Sequence, residues 1–149
     1  MEENSRFVFV LSEEVNKEFD NLFAEPLVDG LKIIKGWDKT ASNAINVIKI
    51  QNLEPDCIVF SCDFFLKHYD IFQHIVAAPI LKFVPIILVT NNSKLDLRLL
   101  TISITDIVPP TVDKLSFLRR LKIICDIGHY RKHFDKNFLI TVLSKQIAF

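Results

Sequence analysis

Short apolar runs alternate along this chain with segments of helical period, the pattern of a parallel sheet joined by crossover helices. Arg6 to Leu11 reads as the first strand. Ser12 stands where a helix cap is wanted, Glu13 and Glu14 would occupy the first turn, and Val15, Phe19, Leu22 and Phe23 fall on one face. Pro26 and Gly30 close that region. Leu31 to Ile34 reads as the second strand, and Thr40 or Ser42 opens a helix expected to bury Ala41, Ala44, Ile45 and Ile48. Pro55 then introduces a third strand, Cys57 to Phe60.

A helix is expected from about Leu66 to Ala77, with Ile71, Phe72, Ile75 and Val76 inward and Pro79 just past its end. Pro85 to Thr90 is apolar without alternation, as suits a strand covered on both faces. Asn91, Asn92 and Ser93 offer a turn and cap before a short helix through Leu100. Ile104 to Val108 reads as the fifth strand, stopped by Pro109 and Pro110. Asp113 opens the last crossover helix, with Leu115, Leu118, Leu121 and Ile124 as its stripe. Five strands and five helices in strict alternation predict one doubly wound α/β sheet.

Composition narrows the function classes. The chain has 149 residues, enough for one domain with a sizeable core, and its 18 basic residues balance 18 acidic ones. No global charge recruits nucleic acid or an anionic membrane. The apolar run Val84–Val89 is far too short to span a bilayer, and the acidic start Met1-Glu2-Glu3-Asn4 lacks the regions of a signal peptide, so a cytoplasmic protein is expected. Cys57, Cys62 and Cys125 have no paired metal spacing, which favours reduced thiols. Gly30, Gly36 and Gly128 stand alone, so no glycine-rich phosphate loop exists and no cofactor is expected.

The order of elements carries a family resemblance. The Pro-Asp-x-Ile-Val-Phe entry to the third strand, the Pro-Ile-Ile-Leu-Val-Thr fourth strand and the Asp-x-Val-Pro-Pro after the fifth resemble the receiver domain of bacterial response regulators, over roughly Arg6 to Ile127. The resemblance implies a flavodoxin-like (CheY-like) five-stranded parallel sheet of order 2-1-3-4-5, the order that a chemotaxis receiver exemplifies.

The same resemblance shows what is missing. In the family, two acidic residues after the first strand hold Mg2+, an aspartate ending the third strand accepts a phosphoryl group, Thr or Ser ends the fourth strand, and Lys follows the fifth. Carried over by position, the acidic pair falls on Leu11 and Ser12, the acceptor on Ser61, the hydroxyl on Thr90 and the lysine on Pro109. Only Thr90 matches. A serine brings neither a carboxylate's charge for a divalent cation nor the group that forms an acyl phosphate. Glu13, Glu14 and Asp63 lie close in sequence to these positions, so a relocated phosphorylation site is the alternative. Against it, strand-end side chains displaced by one residue point to opposite sides, and first-turn carboxylates are favoured by the helix dipole alone.

Two further features qualify this reading. Cys62 sits beside the vestigial pocket, where a thiol or an empty cleft could serve a small-molecule or redox sensor. His129 and His133, four apart, could face one way on a helix, but no full ligand set accompanies them and no metal site is expected. Beyond Gly128, read as a helix end or kink, Tyr130 to Ile147 remains helical, with Phe134, Phe138, Leu139, Val142 and Leu143 as an apolar stripe.

The sequence therefore predicts a pseudo-receiver over residues 1–127 and a linker or dimerisation helix over 128–149. Its partner would be a protein or a second copy of the chain, not nucleic acid or membrane. Asp106, Asp113, Phe117, Arg120, Tyr130, Phe134 and Phe138 form the expected interaction surface, because receivers generally use that face. No catalytic residue is assigned.

Overall fold

Alternating side chains on three central strands build two cores, one on each face of the sheet. In the computed structural model, residues 5–12, 16–91 and 104–134 are described in full and 135–147 as helical backbone. The strands are β1 (Arg6–Leu11), β2 (Leu31–Lys35), β3 (Cys57–Ser61), β4 (Ile86–Val89) and β5 (Asp106–Val108). All described pairings are parallel, in the order β2-β1-β3-β4-β5. The doubly wound sheet expected from the alternation is thus present, in the expected order.

The helices are α1 (Lys17–Leu22), α2 (Asn43–Leu53), α3 (Cys62–Lys67), α4 (Tyr69–Ala77) and α5 (Lys114–Ile147). Phe9 and Leu11 of β1, Ile58 and Phe60 of β3 and Leu88 of β4 face α2, α3 and α4, where Phe64, Phe72 and Ile75 complete one core. Their neighbours Val8, Val10, Cys57, Val59 and Ile87 face α1 and α5, meeting Phe19, Leu22, Phe117, Leu121 and Cys125. The period of two along each strand sorts these residues between the faces.

Several local expectations are corrected. The helix after β1 is capped by Asn16, whose side chain accepts from the Glu18 and Phe19 amides, and not by Ser12. Glu13, Glu14 and Val15 lie outside the described residues, as does the short helix expected through Leu100. In α2, Asn46, Val47 and Ile50 are buried, while Ala44, Ile45 and Ile48 face outward. Its apolar residues surround the helix, so pattern alone does not orient it. Asn46 does: its amide donates to the carbonyls of Asp38 and Ser42, and its oxygen accepts from the Asp38 amide. These bonds tie the helix to the preceding loop and turn Val47 and Ile50 inward.

The helix α5 runs unbroken through Gly128, where an end or kink was expected. Leu115 is exposed, and the inward stripe is Phe117, Leu118, Leu121 and Cys125. At Gly128 a side chain would overlap the carbonyl oxygen of Asp56 and come within 2.6 Å of Pro85 Cδ. The glycine here answers a close approach of helix to sheet, not a change of backbone direction.

Candidate functional site

At the carboxyl end of the strands, register fixes which residues meet. Leu11 pairs with Phe60, Ser61 with Val89, and the Thr90 amide donates to the Val108 carbonyl at 2.8 Å. A cleft of about 350 Å³ opens there, lined by Asn16, Phe19, Ser61, Cys62, Asp63, Val89, Thr90, Asn91 and Pro110. Parallel α/β sheets place ligand crevices at this edge.

The residues expected to form a vestigial pocket divide on inspection. Ser61 and Thr90 share the cleft, both buried. Leu11 does not reach it: its side chain is fully enclosed in the core beside Phe60 and Phe64. Ser12 is half-buried just past β1 and is not part of the wall, while Pro109 is exposed and Pro110 lines the cleft instead. Sequence reasoning missed Asn16, Asn91 and Pro110; an asparagine ahead of an amphipathic stretch was the available signal for Asn16.

Ser61 has a definite structural job. Its backbone is extended and its Oγ accepts from the Phe64 amide at 3.2 Å, capping α3. Asp63 follows in the first turn, exposed and on the cleft wall. It is the single carboxylate among the described lining residues. Cys62 beside it is half-buried. Among the described residues, no group of three or more His, Cys, Asp or Glu converges as metal ligands.

A second polar assembly lies at the opposite end of the sheet. The Asp56 carboxylate, 1% exposed, accepts from the Phe7 amide at 2.9 Å and from Lys132 Nζ at 3.0 Å, with His129 Nδ1 at 3.1 Å. Lys132 also donates to the Glu54 carbonyl at 2.7 Å. Arg6, itself buried, donates from Nε to Asp126 at 2.9 Å and lies over the Tyr130 ring. Burial pushes the Asp126 carboxyl up, but bonds from Lys122 and Arg6 outweigh it and hold the group below its ordinary range. Nothing local in the sequence announces the Arg6–Asp126, Asp56–His129 and Asp56–Lys132 pairs, whose members lie 73 to 120 positions apart. His129 and His133 have ring centres 4.4 Å apart, and His129 faces Asp56.

The expected interaction surface is part buried and part exposed. Phe117 is 1% exposed and packs edge-on against Phe23, so it belongs to the core and not to a contact face. Asp106 is bound by Arg120 at 2.6 Å, and Asp113 accepts from the Ser116 amide and hydroxyl in the first turn of α5. Tyr130 and Phe134 are largely exposed, while the Phe138 side chain lies outside the described residues. No helix among the described residues is long and apolar enough to cross a membrane.

This geometry has counterparts among solved structures. The chain is similar to the receiver domain of the sensor histidine kinase PA1611 from Pseudomonas aeruginosa PAO1, solved with a magnesium ion coordinated in its active-site cleft. The TM-score is 0.56 at 16% identity, covering 82% of this chain and 98% of that one. The fold is that of a receiver domain. Similarity to the pseudo-receiver domain of the CikA protein, by NMR, has a TM-score of 0.50 at 18% identity, over 81% of this chain and 97% of that one. No family model matches the sequence, and no curated protein matches it. The receiver fold therefore carries here a carboxyl-edge cleft whose central hydroxyl is a helix cap.

Proposed function

We propose that this chain is a pseudo-receiver, a signalling module of two-component type that works by binding a protein partner or a second copy and not by accepting a phosphoryl group. The observation that carries this reading is Ser61. It occupies the acceptor position of the receiver fold, and its hydroxyl is committed to the Phe64 amide. With Leu11 enclosed in the core, the adjoining position offers no carboxylate to the cleft. The similarity to a pseudo-receiver supports the same reading.

The contact surface in this reading is α5. Ile123, Ile127, Tyr130 and Phe134 are exposed at successive spacings of four, three and four, the spacing of a coiled-coil seam. A helix of 34 residues is about 51 Å long, against about 20 Å for the six residues of β1, so much of it extends past the sheet. Light scattering of the full chain tests self-association, and a monomer at high concentration refers the surface to a different protein.

Incubation with Mg2+ and a small phosphodonor, followed by intact mass, tests the absence of phosphoryl transfer. An unchanged mass is expected, and a hydroxylamine-labile adduct on any aspartate overturns the proposal. The second reading, a relocated acceptor, draws on the exposed position of Asp63 at the cleft wall, and the adduct would then map to that residue. A third, a small-molecule sensor, draws on the cleft itself and is tested by ligand screening with thermal shift.

A further inference from the structure

No two of the three cysteines are paired by spacing, yet tertiary structure brings two of them together. Cys57 begins β3 and Cys125 lies on α5; both are fully buried, and both belong to the core between the sheet and the pair α1 and α5. Their meeting follows from how the helix crosses the strand. Gly128, three residues beyond Cys125 and so on the same side of α5, rests on the carbonyl of Asp56, the residue before Cys57. Three helical residues rise about 4.5 Å and one strand residue about 3.3 Å, so the two contacts stack one above the other. The missing side chain at Gly128 lets the helix come close at this level. Cys62 is at the other end of β3, about 16 Å along the strand direction, half-buried at the cleft.

We propose that Cys57 and Cys125 are an oxidisable dithiol, closing to a disulfide that staples α5 to the centre of the sheet when the protein meets a peroxide. One thiol sulfur attacks the peroxide, forming an S–O bond as the O–O bond breaks, and a water leaves. The second sulfur then attacks the resulting sulfenic acid, forming the S–S bond and releasing the hydroxyl as a second water. Two thiol protons and two electrons pass to the peroxide, and no other reactant is needed.

Burial pushes the Cys57 thiol well up, and the Cys125 thiol beside it pushes the same way. In the closed protein Cys57 is therefore held as the thiol and is slow to react. Oxidation proceeds when α5 lifts from the sheet, and the disulfide then holds the helix down. The device thus records an opening of α5, whether or not the cleft accepts a phosphoryl group.

The test treats the full chain with hydrogen peroxide, alkylates remaining thiols under denaturing conditions and maps the peptides by mass spectrometry. A Cys57–Cys125 linked peptide is expected, with Cys62 outside the link and a urea midpoint that rises and returns on addition of dithiothreitol. Cys62→Ser should keep the link. Cys125→Ala should lose it, and the peptide map of the unsubstituted protein decides the matter if that variant does not fold. Recovery of Cys57 and Cys125 as alkylated thiols while Cys62 is oxidised, or a link that includes Cys62, overturns the proposal.

Discussion

Lys132 Nζ lies 3.0 Å from the carboxylate of Asp56, a residue 76 positions earlier in the chain. This ion pair joins the helix α5, beyond the point where it leaves the core, to the entry of β3. The same carboxylate takes the Phe7 amide, so Asp56 fastens β1, β3 and α5 at one place. Asp56→Ala would leave the Phe7 amide without its side-chain acceptor, His129 without its carboxylate neighbour and Lys132 with the Glu54 carbonyl but no counter-charge. Breaking a buried pair from one side costs about 3 kcal/mol or more, and urea denaturation should show a loss of that order. A loss below about 0.5 kcal/mol, the range of ordinary surface substitutions, would refute this role.

Gly128→Ala sets two effects against each other. Alanine in a helix interior gains about 1 kcal/mol over glycine, but the new methyl would overlap the Asp56 carbonyl and press on the Pro85 ring. Overpacking costs about 1–3 kcal/mol, and neither neighbour is a flexible side-chain end. The variant should therefore be less stable, by up to about 2 kcal/mol. A more stable variant in a urea titration would mean that helix and sheet are not in close contact there.

Ser61→Ala removes the cap of α3 and should cost about 1 kcal/mol. Ser61→Asp keeps a good cap and supplies a carboxylate at the position proposed as the acceptor's, yet should remain unmodified by a small phosphodonor with Mg2+, because Leu11 is buried apolar surface. Intact mass reads the result. A stable acyl phosphate on the introduced carboxylate would show that the cleft still supports transfer.

Asp126 links stability to acid. Its folded-state pKa is depressed below the ordinary 3.8, because Lys122 and Arg6 outweigh the effect of burial. A depressed carboxylate contributes stability above the unfolded pKa and loses it as pH falls through the folded value. Asp126→Asn should therefore be destabilised near neutral pH, with the difference from the original protein shrinking below about pH 3.8. Chemical denaturation across an acid series checks this, and a gap that stays constant to low pH would contradict it.

How much of this was legible in the residues depends on the range of each interaction. The unbroken apolar runs at β3 and β4 marked the strands but not which side chains face which helices; a strand's period of two divides them, and the division is visible only with the helices in place. Ser61 and Thr90 were expected at the cleft because the receiver resemblance implies a site at those strand ends, and both line it. The cleft's other walls were harder to see: Asn16 and Pro110 enter through loop paths that no period records.

By itself, the sequence determined the order of elements, the five-stranded sheet and the absence of carboxylates at Leu11 and Ser61, all of which depend on residue type and local period. Tertiary structure alone decided the rotation of α2, the continuity of α5 through Gly128, the Arg6–Asp126 and Asp56–Lys132 pairs and the juxtaposition of Cys57 with Cys125. Apart from the rotation of α2, which Asn46 sets through the loop just before it, those features arise where a helix crosses a strand that lies many tens of residues away in the chain. Which residues meet there is set by the distance and angle of the crossing, and neither is encoded within a single element.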